Sequence, residues 1–75
     1  MTLEEFIKAF AAEFDNTPAE SFKPDTKYRE LDEWGSLTAL SIIDIVDDEF
    51  DVIITGSDLR SVDTIEELYN LIQTK

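Results

Sequence analysis

The chain has 75 residues, 18 acidic and 6 basic, for a formal net charge of −12. Its length suits a single domain over residues 1–75 with a modest core, and the absence of cysteine and histidine removes disulfides, thiolate chemistry, His-ligated zinc and Ser-His pairs. The negative charge repels nucleic-acid phosphates, while 43% hydrophobic residues supply enough apolar surface to fold, so composition points to a folded acidic protein that is no enzyme by itself.

The first segment, Met1-Thr2-Leu3-Glu4-Glu5, has neither a basic start nor a continuous apolar stretch, so no signal peptide or membrane span is expected and a cytoplasmic location is the default. Thr2 and Glu5 have capping-box spacing, in which the hydroxyl takes a free backbone N–H and the carboxylate reaches back. Leu3, Phe6, Ile7, Phe10 and Phe14 follow at steps of three and four, predicting a helix that ends before Pro18.

The stretch from Asn16 to Gly35 contains both prolines, Pro18 and Pro24, and no sustained period; Pro18 to Ser21 allows one helical turn. Phe22, Tyr28, Leu31 and Trp34 punctuate this long loop and are expected to pin it to the core.

Ser36 to Phe50 predicts the second helix. At 100° per residue, Ala39, Ile42, Ile43, Val46 and Phe50 share the core arc. Leu37, Leu40, Ser41, Asp44, Asp47 and Asp48 occupy the opposite arc, where two leucines beside a carboxylate cluster suggest a docking surface. Val52 to Thr55 has β propensity but no partner run, so an extended link with its apolar side chains in the core is expected. Gly56 permits a turn, Ser57 to Ser61 a short helix with Leu59 and Val62 inward. Thr64 and Glu67 repeat the capping-box spacing and open a last helix carrying Ile65, Leu68, Leu71 and Ile72 on one face. The expected fold class is therefore all-α: three main helices plus one short helix, with a long first loop.

Between Arg29 and Arg60 no basic residue occurs, while Glu30, Asp32, Glu33, Asp44, Asp47, Asp48, Glu49, Asp51 and Asp58 are acidic. Such a field steers basic partners toward the second helix. The run Asp47-Asp48-Glu49-Asp51 lacks the alternating spacing and glycine of a calcium loop, so no metal site is expected.

Ser36 is the one candidate for covalent chemistry. By position it reads as an N-cap, and the same position suits an attached anion, because helix N-termini present free N–H groups and positive dipole charge. Trp34-Gly35-Ser36-Leu37, followed by an amphipathic helix ending Asp48-Glu49-Phe50-Asp51-Val52, resembles the core of acyl carrier proteins. Their pattern is Asp-Ser-Leu at the start of the second helix and a Glu-Glu-Phe-Asp-Ile type of ending. The resemblance extends to the first helix, the loop with Tyr28 and Leu31, and the Thr64-Ile65 opening of the last helix.

The resemblance implies an acyl-carrier-like four-helix bundle, not an enzyme, with 4′-phosphopantetheine on Ser36 as covalent cofactor. The cofactor thiol would carry acyl or aminoacyl groups as thioesters, which supplies the sulfur the chain lacks. The implied partners are a phosphopantetheinyl transferase and the acyl-transferring, condensing or adenylating enzymes of fatty-acid or specialised acyl biosynthesis. Their basic patches would meet Asp44, Asp47 and Asp48, with Leu37 and Leu40 as the apolar contact. Ile54, Leu59 and Val62 would line a space for a bound chain. A monomer without nucleic-acid binding or membrane insertion is expected.

Two positions depart from the family pattern. Gly35 stands where Asp is usual, and Asp44 stands where many fatty-acid carriers have an apolar residue. The first keeps open an alternative: a cofactor-free acidic interaction module with the same fold.

Overall fold

The computed structural model describes residues 1–75 and contains four α-helices and no strands. They are α1 (Leu3–Ala11), α2 (Ser36–Phe50), α3 (Gly56–Ser61) and α4 (Ile65–Gln73), with 3₁₀ turns at Ala19–Ser21 and Tyr28–Glu30 in the long first loop. This is the all-α arrangement expected, with α3 as the short helix.

Local chemistry explains most starts. Thr2 with Glu5 and Thr64 with Glu67 form reciprocal capping boxes at α1 and α4. A third box, unnoticed in the sequence, joins Thr55 and Asp58 at α3 and starts that helix one residue early, at Gly56. The end of α2 is set by Asp51, whose left-handed backbone (φ 55°) returns its N–H to the Asp47 carbonyl at 3.0 Å.

The core is a single cluster dominated by aromatic rings. Phe6, Phe10, Tyr28, Ile42, Val46, Ile65 and Leu68 are completely buried, each contributing about 1.5–3 kcal/mol of transfer free energy. Phe10 is its hub, with ring neighbours Phe6, Phe14, Phe22, Tyr28 and Trp34. Leu31 and Trp34 pack against the same cluster, so the four anchors expected to hold the loop all do.

Three expectations are corrected. The first helix ends at Ala11, earlier than its apolar stripe suggested. The Phe14 N–H closes a tight turn onto the Ala11 carbonyl at 3.0 Å, and this delivers the Phe14 ring to the core from outside the helix. The link after α2 buries Ile54, whereas Ile53 is 76% exposed, because extended backbone sends adjacent side chains to opposite sides. Leu71 is only half-buried and lies outside the core cluster, whereas Tyr69, not assigned to the apolar face of α4, packs against it. Ile45, assigned to neither arc of α2, also contacts the core.

Hydrogen bonds as well as rings fix the loop. Lys27 forms a single antiparallel bridge with Thr64, and the N–H groups of Ile65 and Glu66 donate to the Thr26 and Pro24 carbonyls. Tyr28 donates from its hydroxyl to the Leu59 carbonyl at 2.5 Å, and Arg29 donates to the Val62 carbonyl at 3.0 Å. The loop is thereby stapled to the junction of α3 and α4, and this packing sets where α3 lies relative to the start of α2.

Candidate functional site

Ser36 is the first residue of α2, and the N-cap is Gly35. This corrects the N-cap assignment of Ser36: the loop turns one residue sooner, with Gly35 in an extended conformation (φ −171°). Glu33 organises the approach. Its carboxylate accepts from the Asn16 N–H at 2.9 Å and the Thr17 hydroxyl at 2.6 Å, while its carbonyl accepts from the Thr38 hydroxyl at 2.9 Å. One residue thus ties the end of the α1 turn to the start of α2. The hydrogen bond from Thr17 leads in holding the Glu33 carboxyl below its ordinary pKa.

The start of α2 differs chemically from those of the other helices. The first turn of α2 has no acidic residue, and no side chain caps it. Its first helical hydrogen bond runs from Ala39 to the Gly35 carbonyl, leaving the N–H groups of Ser36, Leu37 and Thr38 without a protein acceptor. In a helix of 15 residues these groups, with the positive end of the dipole, form a favourable setting for an anion. The exposed Ser36 hydroxyl takes no part in the side-chain bonds that hold Thr38 to Glu33 and Ser41 to Leu37. These features fit an anionic group esterified to the serine.

A cleft of about 380 Å³ opens beside Ser36. Trp34, Ala39 and Leu59 give it an apolar wall, and Arg29 and Arg60 give it two cations. A side chain added at Gly35 would meet nothing within 4 Å, so its mouth is unobstructed on that side. Of the residues expected to shelter a bound chain, only Leu59 lines this cleft; Ile54 is 2% exposed in the core and Val62 packs against it. A larger groove, about 760 Å³, runs between α1 and the first loop over Ile7, Ala11, Phe14 and Phe22, and it contains none of the expected site residues.

The outer face of α2 is as the helical wheel indicated. Leu37 is 82% and Leu40 58% exposed, and Asp44, Asp47 and Asp48 all face solvent. Ser41 differs: it is half-buried, and its hydroxyl returns to the Leu37 carbonyl at 3.1 Å. No three acidic side chains anywhere are grouped to hold a metal ion. No helix is long and apolar enough to cross a membrane.

The sequence did not single out Arg29, Arg60 or Glu33 as parts of this site. Arg29 and Arg60 stood out only as the boundaries of the stretch without basic residues, and folding brings both to the Ser36 cleft.

The family described as "Phosphopantetheine attachment site" matches over residues 5–72. No curated protein and no solved structure matches the chain.

Proposed function

Because the chain belongs to the phosphopantetheine-binding carrier family, we propose that Ser36 bears the arm and that the outer face of α2 receives the partner enzymes. The family makes the protein a carrier and not a catalyst, with covalent 4′-phosphopantetheine as its cofactor. Carriers of this kind meet modifying and acyl-handling enzymes. When bound, the group supplies a terminal thiol on which acyl or aminoacyl cargo travels as a thioester.

One observation supports Ser36 most directly: an exposed hydroxyl at the uncapped start of α2, beside a cleft with two arginines. The free N–H groups of the first turn favour the negative charge of a phosphodiester at that oxygen. Glu33, bound to both Asn16 and Thr38, holds the approach to the serine in place, and the Trp34 ring is braced against Tyr28 at 5.0 Å.

Leu37 and Leu40 then provide the apolar contact for a partner, and Asp44, Asp47 and Asp48 provide the charge that draws its basic patch. Exposed charges of this sort act mainly on encounter rate and orientation. The polar Asp44 favours partners of specialised acyl biosynthesis over strict fatty-acid-synthase duty. The working unit is one carrier domain over residues 1–75.

Intact mass after treatment with a broad-specificity phosphopantetheinyl transferase tests the attachment. Wild type gains one phosphopantetheine and Ser36→Ala gains none. A wild-type chain left unmodified by several transferases, with partners retained equally by Ser36→Ala, would favour the cofactor-free interaction module instead.

A further inference from the structure

We propose that Arg60 is the counter-charge for the phosphodiester on Ser36, and that it draws the proximal part of the arm into the cleft against Leu59 and Trp34. The inference rests on Ser36 being the attachment point.

Three observations lead to it. First, Arg60 has no carboxylate partner: the ion pairs of the molecule are Arg29 with Asp63 and Lys75 with Asp58. A cation left unpaired in a chain of net charge −12 has its charge available for another anion. Second, the side chain lies across the first turn of α3, with Nη1 only 3.3 Å from where a Cβ on Gly56 would stand. Glycine at that position leaves the guanidinium room to lie at the cleft instead of being pushed away. Third, Ser36, Arg60, Leu59 and Trp34 all line the same cleft. An anion with an apolar chain attached matches that lining: charge toward the guanidinium, hydrocarbon toward Leu59 and the indole.

Arg29 plays a lesser part. Its guanidinium already donates to the Val62 carbonyl and pairs with Asp63, which offsets its charge. It contributes to the lining of the cleft.

An exposed ion pair on a protein surface holds its partners only weakly. Here the phosphodiester would be tethered beside its partner, so pairing costs no translational freedom and effective concentration is high. The pair remains solvent-accessible and therefore sensitive to salt. Docking of the arm in this cleft is consequently reversible, and the arm is released when a partner enzyme competes for the phosphate.

The test compares apo and holo forms of wild type, Arg60→Gln and Arg60→Lys by amide and indole chemical shifts. In wild type, addition of the arm should shift Gly56, Leu59 and the Trp34 indole as well as Gly35 to Leu37. In Arg60→Gln the shifts at Gly56 and Leu59 should fall at least about threefold, while those at Gly35 to Leu37 persist, and Arg60→Lys should keep part of them. Independently, raising salt on holo wild type should move Gly56 and Leu59 back toward their apo positions. Equal shifts in wild type and Arg60→Gln, or a modified wild type with α3 unperturbed and indifferent to salt, overturns this inference alone. A chain whose intact mass shows no arm at all overturns the attachment proposal and this one together.

Discussion

The Tyr28 hydroxyl donates to the Leu59 carbonyl at 2.5 Å, joining the long first loop to α3, which lines the same cleft as Ser36. The tyrosine is completely buried, and the bond ends the α3 turn with a partner it would otherwise lack. Loop and short helix are therefore tied together, and the shape of the Ser36 cleft depends on a residue outside it.

Tyr28→Phe keeps the ring and its contacts with Phe10 and Trp34 but leaves the Leu59 carbonyl unpaired. The expected loss is about 2 kcal/mol, measured by urea unfolding. Burial pushes the Tyr28 phenol up to about 12 from an ordinary value of 10.0. The neutral phenol is the form favoured in the folded state, so its contribution is complete below pH 10.0 and disappears as pH rises through about 12. Absorbance titration should show one tyrosine resisting ionisation until the protein unfolds.

Gly35→Asp should stabilise the protein and speed its modification. The position is extended, not left-handed, and a Cβ there meets nothing within 4 Å, so the new side chain introduces no strain. Asp would cap the free N–H groups of α2 and reduce the freedom of the unfolded chain, for a gain of about 0.5 kcal/mol. It also restores the residue usual in the family pattern. A melting curve and a transferase time course check the two effects separately.

Asp47→Lys and Asp48→Lys should each weaken transfer to partner enzymes about fivefold at low salt, with the difference shrinking as salt rises. Leu37→Ala should lose about 1 kcal/mol of partner affinity independently of salt. All three side chains are exposed, so circular dichroism and melting temperature should barely change. Unaltered transfer kinetics in these variants would remove the docking role of this face.

Acid should destabilise the fold through a small set of carboxylates. Glu5 and Glu67 are lowered chiefly by backbone N–H groups at their caps, Asp58 chiefly by the Thr55 N–H, and Glu33 chiefly by the Thr17 hydroxyl. Their folded-state values lie below the ordinary 4.5 for Glu and 3.8 for Asp, so their contribution is complete above those values and is lost as pH falls through the lowered ones. Glu33→Gln retains an acceptor without the ionisation and should flatten the fall in melting temperature between about pH 6 and about pH 3.

The helices and the candidate serine were legible because their signals are local. Capping boxes at Thr2 and Thr64, the stripe of Phe6 and Phe10, and the two arcs of α2 each follow from neighbours three or four residues apart. Where the signal is subtler, local pattern misplaces a boundary by a residue or a turn. Gly35, not Ser36, caps α2, because where a loop enters a helix is decided by how Glu33 and Thr38 anchor it.

Local pattern alone reveals the helical class, the acidic outer face with Leu37 and Leu40 left in it, and Ser36 at a helix start. Long-range contacts bring Phe14 to the core from a turn beyond α1, leave Ile53 outside, carry Tyr28 to Leu59, and gather Arg29 and Arg60 at one cleft. The reason is physical. Periodicity reports which face of a regular element is apolar, but an irregular loop has no period. Its path is chosen by bonds between residues far apart in the chain, and two cations that merely bounded an acidic stretch became neighbours of one serine when that path closed.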